Sequence, residues 1–236
     1  MTLYSKAKRD IERLINNGHY KPGDYLPSET ELQEYYNVSR TTIRKAISLL
    51  VDEGLVTIDR GRGTRINSSL IHHKVSTLMS FTELMRQQGL APKVKDVVAK
   101  KVDAEPEVAA KLQLEVGAPV LEVHRLRLAD DEPISVNVSY LPFKWVNHID
   151  PQWFEEEQSL YAVLENHFGI EIHTTEDVVR AINGNKSMAK KLNVSPQTPL
   201  LSIRRVAYNK NNIPMEYSKI FLRGDRYEHT ITLKRK

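Results

Sequence analysis

Arg125 and Arg127 alternate with Leu121 and Val123 in a segment that reads as a strand. Every second side chain of a strand faces the same way, at a spacing of about 6–7 Å. Two guanidinium groups therefore share a face with apolar residues. Moving a charge out of water is costly unless it is paired. Either carboxylates of the chain answer these arginines, or a bound anion does. Two helix starts offer further anion chemistry. Ser159-Leu160-Tyr161 precedes a helix that runs through Leu164 to Phe168 and stops at Gly169, and Ser80-Phe81-Thr82 opens another. Unpaired backbone N–H groups and the helix dipole attract negative charge there. Ser159 and Tyr161 add hydroxyl donors. A capped helix start is by itself ordinary architecture, so the arginine pair carries the argument.

A second constellation is basic and lies in the N-terminal part. Arg40, Thr41, Arg44 and Lys45 take the outward face of a segment whose inward face is Ile43, Ala46, Ile47, Leu50 and Val51. Arg40 and Arg44 are four residues apart and share a helix face. An arginine fork matches guanine O6 and N7, and threonine suits a phosphate or a thymine methyl. Arg60, Arg62 and Arg65 surround Gly61 and Gly63, a turn whose backbone can approach DNA closely. Basic residues on a helix are mostly solvated charge. Here two clusters fall on the two elements that a winged helix presents to DNA.

The elements that must hold these groups form two blocks. In the first, Tyr4, Ala7, Ile11, Leu14 and Ile15 recur at helical spacing, with Gly18 as the stop. A Pro22-Gly23 turn follows. Ser28 and Glu31 make a capping box for a second helix, with Asn37 in the turn after it. Ser39 caps a third helix, which Gly54 ends. Residues 55–58 and 64–66 read as strands. Three helices and a hairpin predict a winged helix-turn-helix over residues 1–67, and residues 68–76 read as a linker. The rest, 77–236, alternates strands and helices and predicts an α+β domain. Ser80 and Glu83 form another capping box there, and Gly89 closes that helix.

This second block contains an internal repeat. Ala109-Ala110-Lys111-Leu112 and Pro119-Val120-Leu121-Glu122-Val123-His124-Arg125 parallel Ala189-Lys190-Lys191-Leu192 and Pro199-Leu200-Leu201-Ser202-Ile203-Arg204-Arg205 at an offset of 80. Each copy reads as helix, turn, Pro, strand, polar turn and again Pro (Pro133 and Pro214). Two such halves predict a pseudo-two-fold axis, and pockets favour the cleft between halves. Arg127 aligns with Ala207, and Ser135 with Glu216. The charged additions are thus asymmetric, as a ligand requires and a repeat fold does not.

Composition narrows the function classes. Of 236 residues, 40% are apolar and 27% charged, the make-up of a soluble globular protein. A net charge of +4 permits nucleic-acid binding without demanding it. The absence of cysteine excludes disulfides and thiolate metal sites and fits a reducing compartment. No apolar run of about 18 residues and no signal-peptide core occur, so the expectation is a cytoplasmic protein with no membrane partner. Glu216, His124, His173 and Tyr161 are candidate acids and bases for a rival enzyme reading. No nucleophile–base pair and no H-E-x-x-H spacing accompanies them. His167 and His173 lie six apart across a glycine, which suits surface residues better than ligands. Neither metal nor cofactor is expected.

Longer motifs sharpen both readings. Leu26-Pro27-Ser28-Glu29, Val38-Ser39-Arg40-Thr41-Thr42-Ile43-Arg44-Lys45-Ala46, Leu49-Leu50, Glu53-Gly54-Leu55 and Gly61-Arg62-Gly63-Thr64 resemble the signature of the GntR family of repressors. Thr30 departs from it, standing where many members carry arginine. The resemblance implies DNA contact by Ser39, Arg40, Thr41, Thr42, Arg44 and the wing. The expected DNA-facing set is Ser28, Ser39, Arg40, Thr41, Thr42, Arg44, Lys45, Arg60, Gly61, Arg62 and Gly63.

The second block resembles the UTRA effector domain of the HutC subfamily. The likeness rests on Ser80-Phe81-Thr82-Glu83-Leu84-Met85, Val123-His124-Arg125-Leu126-Arg127, Ser139-Tyr140-Leu141-Pro142, Ser159-Leu160-Tyr161 and Pro214-Met215-Glu216-Tyr217-Ser218. It implies a chorismate-lyase-like α+β fold with pseudo-symmetric halves. It also implies that Arg125, Arg127, Ser159 and Tyr161 hold an effector phosphate, as in amino-sugar-responsive members. Glu216 would hold the sugar, and the loop Ser80-Phe81-Thr82 would close over the site. The subfamily senses other anions too, such as urocanate. The expected effector set is Ser80, Phe81, Thr82, Arg125, Arg127, Ser159, Tyr161, Glu216 and Tyr217. The combined expectation is a homodimeric repressor. It leaves a palindromic operator when a small anion, favoured as a sugar or amino-sugar phosphate, binds. The alternative is an enzyme acting on a small anionic substrate through a chorismate-lyase-like domain.

Overall fold

The computed structural model describes residues 2–16, 19–21, 23–52, 55–59, 61–67, 71–74 and 78–231. Gly18, Pro22, Glu53, Gly54 and Arg60, assigned above to helix ends, a turn and the wing, lie outside the described residues. The chain divides into two compact units, Met1–Leu70 and Ile71–Lys236. Among the described residues no helix is long and apolar enough to cross a membrane.

In the first unit, α1 (Leu3–Asn16) buries Ala7, Ile11 and Ile15. Next comes α2 (Glu29–Tyr36), held at its start by the Ser28–Glu31 capping box and stopped by Asn37 at φ 49°. In α3 (Arg40–Asp52) the buried residues are Ile43, Ala46, Ile47 and Leu50. Spacings of three and four put these on one stripe against α1 and α2, and leave the basic residues outward. Ser39 caps α3, its Oγ accepting from the Thr42 N–H at 3.3 Å. The hairpin β1 (Val56–Asp59) and β2 (Gly63–Ile66) pairs Val56 with Ile66 and Asp59 with Gly63. Gly61 and Gly63 sit at φ 79° and 117°, which only glycine adopts freely.

The second unit opens with β3 (Ile71–Lys74), which pairs in parallel with β10 (Tyr227–Thr230). Residues 71–74 were expected in the linker. Their backbone groups are instead spent on a strand of the second unit, and Ile71 is fully buried there. Residues 68–70, 75 and 76, the rest of that stretch, lie outside the described residues.

The body of this unit is duplicated. The first copy is β4 (Pro92–Asp103), α5 (Pro106–Leu112), β5 (Pro119–Ala129) and β6 (Glu132–Pro142). The second is β7 (Thr174–Asn183), α8 (Lys186–Leu192), β8 (Pro199–Tyr208) and β9 (Pro214–Arg223). They join through β6 and β9 into one antiparallel sheet of order β4-β5-β6-β9-β8-β7. Ser139 faces Ser218 where the halves meet. Local details repeat as well: Gln113 and Asn193 both end their helices at φ 54°, and the ladder shifts at Arg127/Leu128 and at Ala207/Tyr208. One repeated sequence has thus folded twice, down to its helix C-caps and the ladder shift at the end of its second strand.

Alternation sorts the sheet into two faces. Val120, Val206 and Tyr217 pack with α5 on one face. Leu121, Val123 and Leu141 pack on the other with α6 (Trp153–Glu157) and α7 (Leu160–Phe168). Ile203, Ile220 and Leu222 on that second face meet α4 (Phe81–Gln87). The polar residues of the next section lie on this second face, under α4 and α7.

Candidate anion pocket and DNA-facing surface

Four neighbouring strands and two helix starts converge on a small cavity. Its walls include Arg125 and Arg127 from β5, Asn137 from β6, Arg205 from β8 and Glu216 with Ser218 from β9. Ser80, Phe81, Ser159 and Tyr161 close it from the helical side. The register explains the grouping: Arg125 stands opposite Asn137, and Arg205 opposite Ser218. The enclosed space is about 20 Å³, room for roughly one water.

Arg125 is 2% exposed. Its Nη2 donates to Ser139 Oγ at 2.7 Å, and Glu216 Oε1 stands 4.0 Å away, beyond hydrogen-bond reach. Its Nε and Nη1 are buried without a hydrogen-bond partner among the described residues. Burial pulls its pKa below the ordinary arginine value, with Glu216 opposing. Burial, and then the charge of Arg125, bring Arg127 down to about 9. The two rings nearest them offer only weak compensation, Phe154 at 5.7 Å from Arg125 and Phe81 at 5.0 Å from Arg127. Arg205 is the contrast. It donates from Nε and Nη2 to both Asp177 oxygens at 2.7 Å and reaches the Tyr161 hydroxyl, so its charge is secured. Tyr161 is pushed up by burial and by Glu216, and stays a neutral hydroxyl. The cavity therefore holds more positive charge than the chain itself neutralises.

The first unit presents a different surface. Arg40, Thr41, Arg44, Lys45 and Ser48 line one exposed strip of α3. Glu29 at the start of α2 touches two of them, Arg40 Nε at 3.1 Å and Arg44 Nε at 3.8 Å. Ser39 and Thr42 bond hydroxyl to hydroxyl at 2.9 Å. Ser28 is exposed, with its side chain engaged with Glu31 in the α2 cap. In the wing, Gly61, Arg62 and Gly63 are exposed, while Arg65 is held by Asp59 at 3.0 Å.

Comparisons with known proteins bear on both units. A model described as "Bacterial regulatory proteins, gntR family" matches residues 3–66, and one for the UTRA domain matches residues 87–228. The HTH-type transcriptional repressor NagR of Bacillus subtilis (strain 168) is 31% identical over 95% of this chain and 92% of its own length. The chain belongs to the GntR family. The probable fructoselysine utilization operon transcriptional repressor of Escherichia coli (strain K12) is 30% identical over 99% of this chain and 95% of its own. The crystal structure of PhnF from Mycobacterium smegmatis superposes with a TM-score of 0.70 at 27% identity, over 98% of this GntR protein and 100% of PhnF. Winged helix and UTRA domain are thus both present, as in a HutC-type regulator.

The family is one of transcriptional regulators, not enzymes. Geometry also disperses the rival acid–base set. Glu216 and Tyr161 line the cavity, but His124 bonds Glu122 at 2.7 Å, and His173 lines another cavity with His73 and His229.

Two of the effector residues expected from sequence fall elsewhere. Tyr217 lies on the opposite face of the sheet, packed with α5, and donates to Glu107 at 2.8 Å. Since Glu216 points into the cavity, its neighbour in the strand must point away. Thr82 lies just outside the cavity, its hydroxyl donating to the Gln158 carbonyl at 2.5 Å. The other seven line the cavity together. Asn137, Arg205 and Ser218 were missed. The repeat held the signal for Arg205, which is Arg125 moved on by 80 positions.

Proposed function

We propose that this GntR regulator is a homodimeric repressor that holds a palindromic operator through α3 and the wing, and leaves it when a sugar or amino-sugar phosphate enters the arginine cavity. The observation that carries the reading is Arg125, a buried cation with two nitrogens that no group among the described residues satisfies. A dianionic phosphate supplies acceptors for Arg125 and Arg127, and hydroxyls of Ser80, Ser159 and Tyr161 can donate to it. Glu216, Asn137 and Ser218 then face the hydroxyls of a sugar. A cavity of about 20 Å³ is too small for such a guest, so α4, which carries Phe81 over Arg127, must yield to admit it. Repression as the mode is supported by the names of two relatives, both transcriptional repressors.

On the DNA side, Arg40, Arg44 and Lys45 with Thr41 and Thr42 read bases and phosphates, while Gly61, Arg62 and Gly63 bring the wing to the backbone. The effector shifts the equilibrium only by the difference in its affinity for the two arrangements. The test uses DNA selected by the full-length protein from a random-sequence library. A gel shift with glucose 6-phosphate and glucosamine 6-phosphate should show release of the wild type. The Arg125→Met/Arg127→Met variant should bind the same DNA and resist release. Arg44→Ala should lose DNA affinity by about 1–3 kcal/mol while still binding the sugar phosphate. Release of the double variant at the wild-type concentration would sink the reading.

A further inference from the structure

The six-stranded sheet ends in β4 on one side and β7 on the other, the first strands of the two repeats. Among the described residues each pairs with one neighbour only, β4 with β5 and β7 with β8. An edge strand shows a row of unpaired backbone N–H and C=O groups, which invites another chain unless the edge is blunted. β4 is blunted. Asp96 and Val97 bulge opposite Arg125, with Asp96 at φ 51°. Lys93, Lys95, Lys100 and Lys101 add charge along the strand. Bulges and lysines are the usual guards of an edge. β7 has neither. Its ladder with β8 runs from Thr174 to Asn183 without a shift, and it carries no lysine. Val178 and Val179 at its centre are exposed. The guards stand on one edge of a duplicated sheet and not on the other.

An unguarded edge does not name its partner, but the charges on β7 do. Glu176, Val178 and Arg180 share one face of the strand, and all three are exposed. A two-fold axis at Val178 would lay β7 antiparallel on its own copy, Val178 against Val178. Glu176 then faces the partner's Arg180, and Arg180 faces the partner's Glu176. Directly opposite residues of an antiparallel pair share a face, so a slip of the axis moves by whole residues. At Asp177 or at Arg180 it sets like charges on each other, and at Val179 it faces Arg180 with Val178. Only the axis at Val178 brings Glu176 to Arg180. We propose that β7 is the surface through which a second copy of this chain docks, the two six-stranded sheets joining edge to edge about that axis. The proposal rests on the homodimer read above and gives it a surface. A two-fold contact must be self-complementary, and the order Glu176, Val178, Arg180 is. Asp177, on the other face, already holds Arg205 and needs nothing from the partner.

The chain has no cysteine, so Val178→Cys in the full-length protein places one thiol on each side of the axis and no other. Directly opposite residues of an antiparallel pair lie about 4.5–5.5 Å apart at Cα, within disulfide range. Mild oxidation should convert most of this variant to a covalent dimer on a non-reducing gel. Val98→Cys, exposed on the guarded edge, should run as a single chain. Sedimentation equilibrium reads the charges. Glu176→Arg and Arg180→Glu should each weaken the dimer about tenfold or more, and the double exchange should return it to within about threefold of wild type. A monomeric wild type overturns both the homodimer and this surface, and leaves the edge to a strand of another protein. A dimer that cross-links no better through residue 178 than through residue 98, or that ignores the charge exchanges, overturns this surface alone.

Discussion

Arg125 and Arg205 hold the same position in the two halves of the sheet, 80 residues apart, and among the described residues only Arg205 of the two has a carboxylate within hydrogen-bond reach. Asp177 grips Arg205 through two bonds of 2.7 Å, whereas Arg125 keeps one, to Ser139. A duplicated strand has been put to two uses, one structural and one left open.

The two arginines should therefore respond oppositely to substitution. Breaking a mostly buried ion pair leaves the other charge stranded, so Asp177→Asn should cost about 2–4 kcal/mol. Arg125→Met removes a buried cation that Glu216, 4.0 Å away, balances only in part, and should leave the ligand-free protein as stable as wild type or more so. Urea unfolding of the two variants checks this. A loss for Arg125→Met as large as that for Asp177→Asn would mean that Arg125 is structural.

Tyr217 gives a prediction against the sequence expectation. It sits on the α5 face and donates to Glu107, a residue that also takes Lys219 at 2.8 Å and pairs with Arg204. Tyr217→Phe should leave sugar-phosphate affinity unchanged and cost about 1 kcal/mol of stability. A tenfold loss of affinity at unchanged stability would return Tyr217 to the ligand site.

The sequence made Arg125 and Arg127 legible because strand alternation alone puts them on one apolar face, and the 80-residue repeat exposed the asymmetry around them. The same rule, applied one step further, excludes Tyr217 from the face of Glu216. The motif kept both residues only because it was read as a string. Arg205 and Asn137 depend on which strands become neighbours, and pairing of β6 with β9 is not written in any local pattern. Residues 71–74 were hidden for a similar reason. Ile71-His72-His73-Lys74 is short and polar, and its partner β10 lies more than 150 positions away, as the His73–Tyr227 separation of 154 illustrates. The helices and the wing were plain from capping boxes and glycines, which act over three or four residues.

His73 supplies a pH dependence. Its ring is buried, with Nδ1 2.6 Å from the Tyr227 hydroxyl and the His229 ring 4.8 Å away. Burial first, then His229 and Arg205, bring its pKa from 6.5 to about 4, with Asp177 opposing. The folded state binds its proton less well than the unfolded chain does. The contribution of His73 is thus complete above about pH 6.5 and is lost as pH falls toward 4. Denaturation between these values should show roughly 1–3 kcal/mol of loss that His73→Gln, which keeps an acceptor but cannot titrate, removes. An identical pH profile for His73→Gln would show that other groups set it.

Arg125 is the group that an anionic effector must answer. The most direct measurement is the affinity of glucosamine 6-phosphate for the wild type and for Arg125→Met, by calorimetry on the intact chain. One site per chain is expected, with the variant weaker by about 10- to 100-fold, the worth of one charge-assisted hydrogen bond or slightly more. Equal affinity in the two proteins, with heat of binding unchanged, would contradict it.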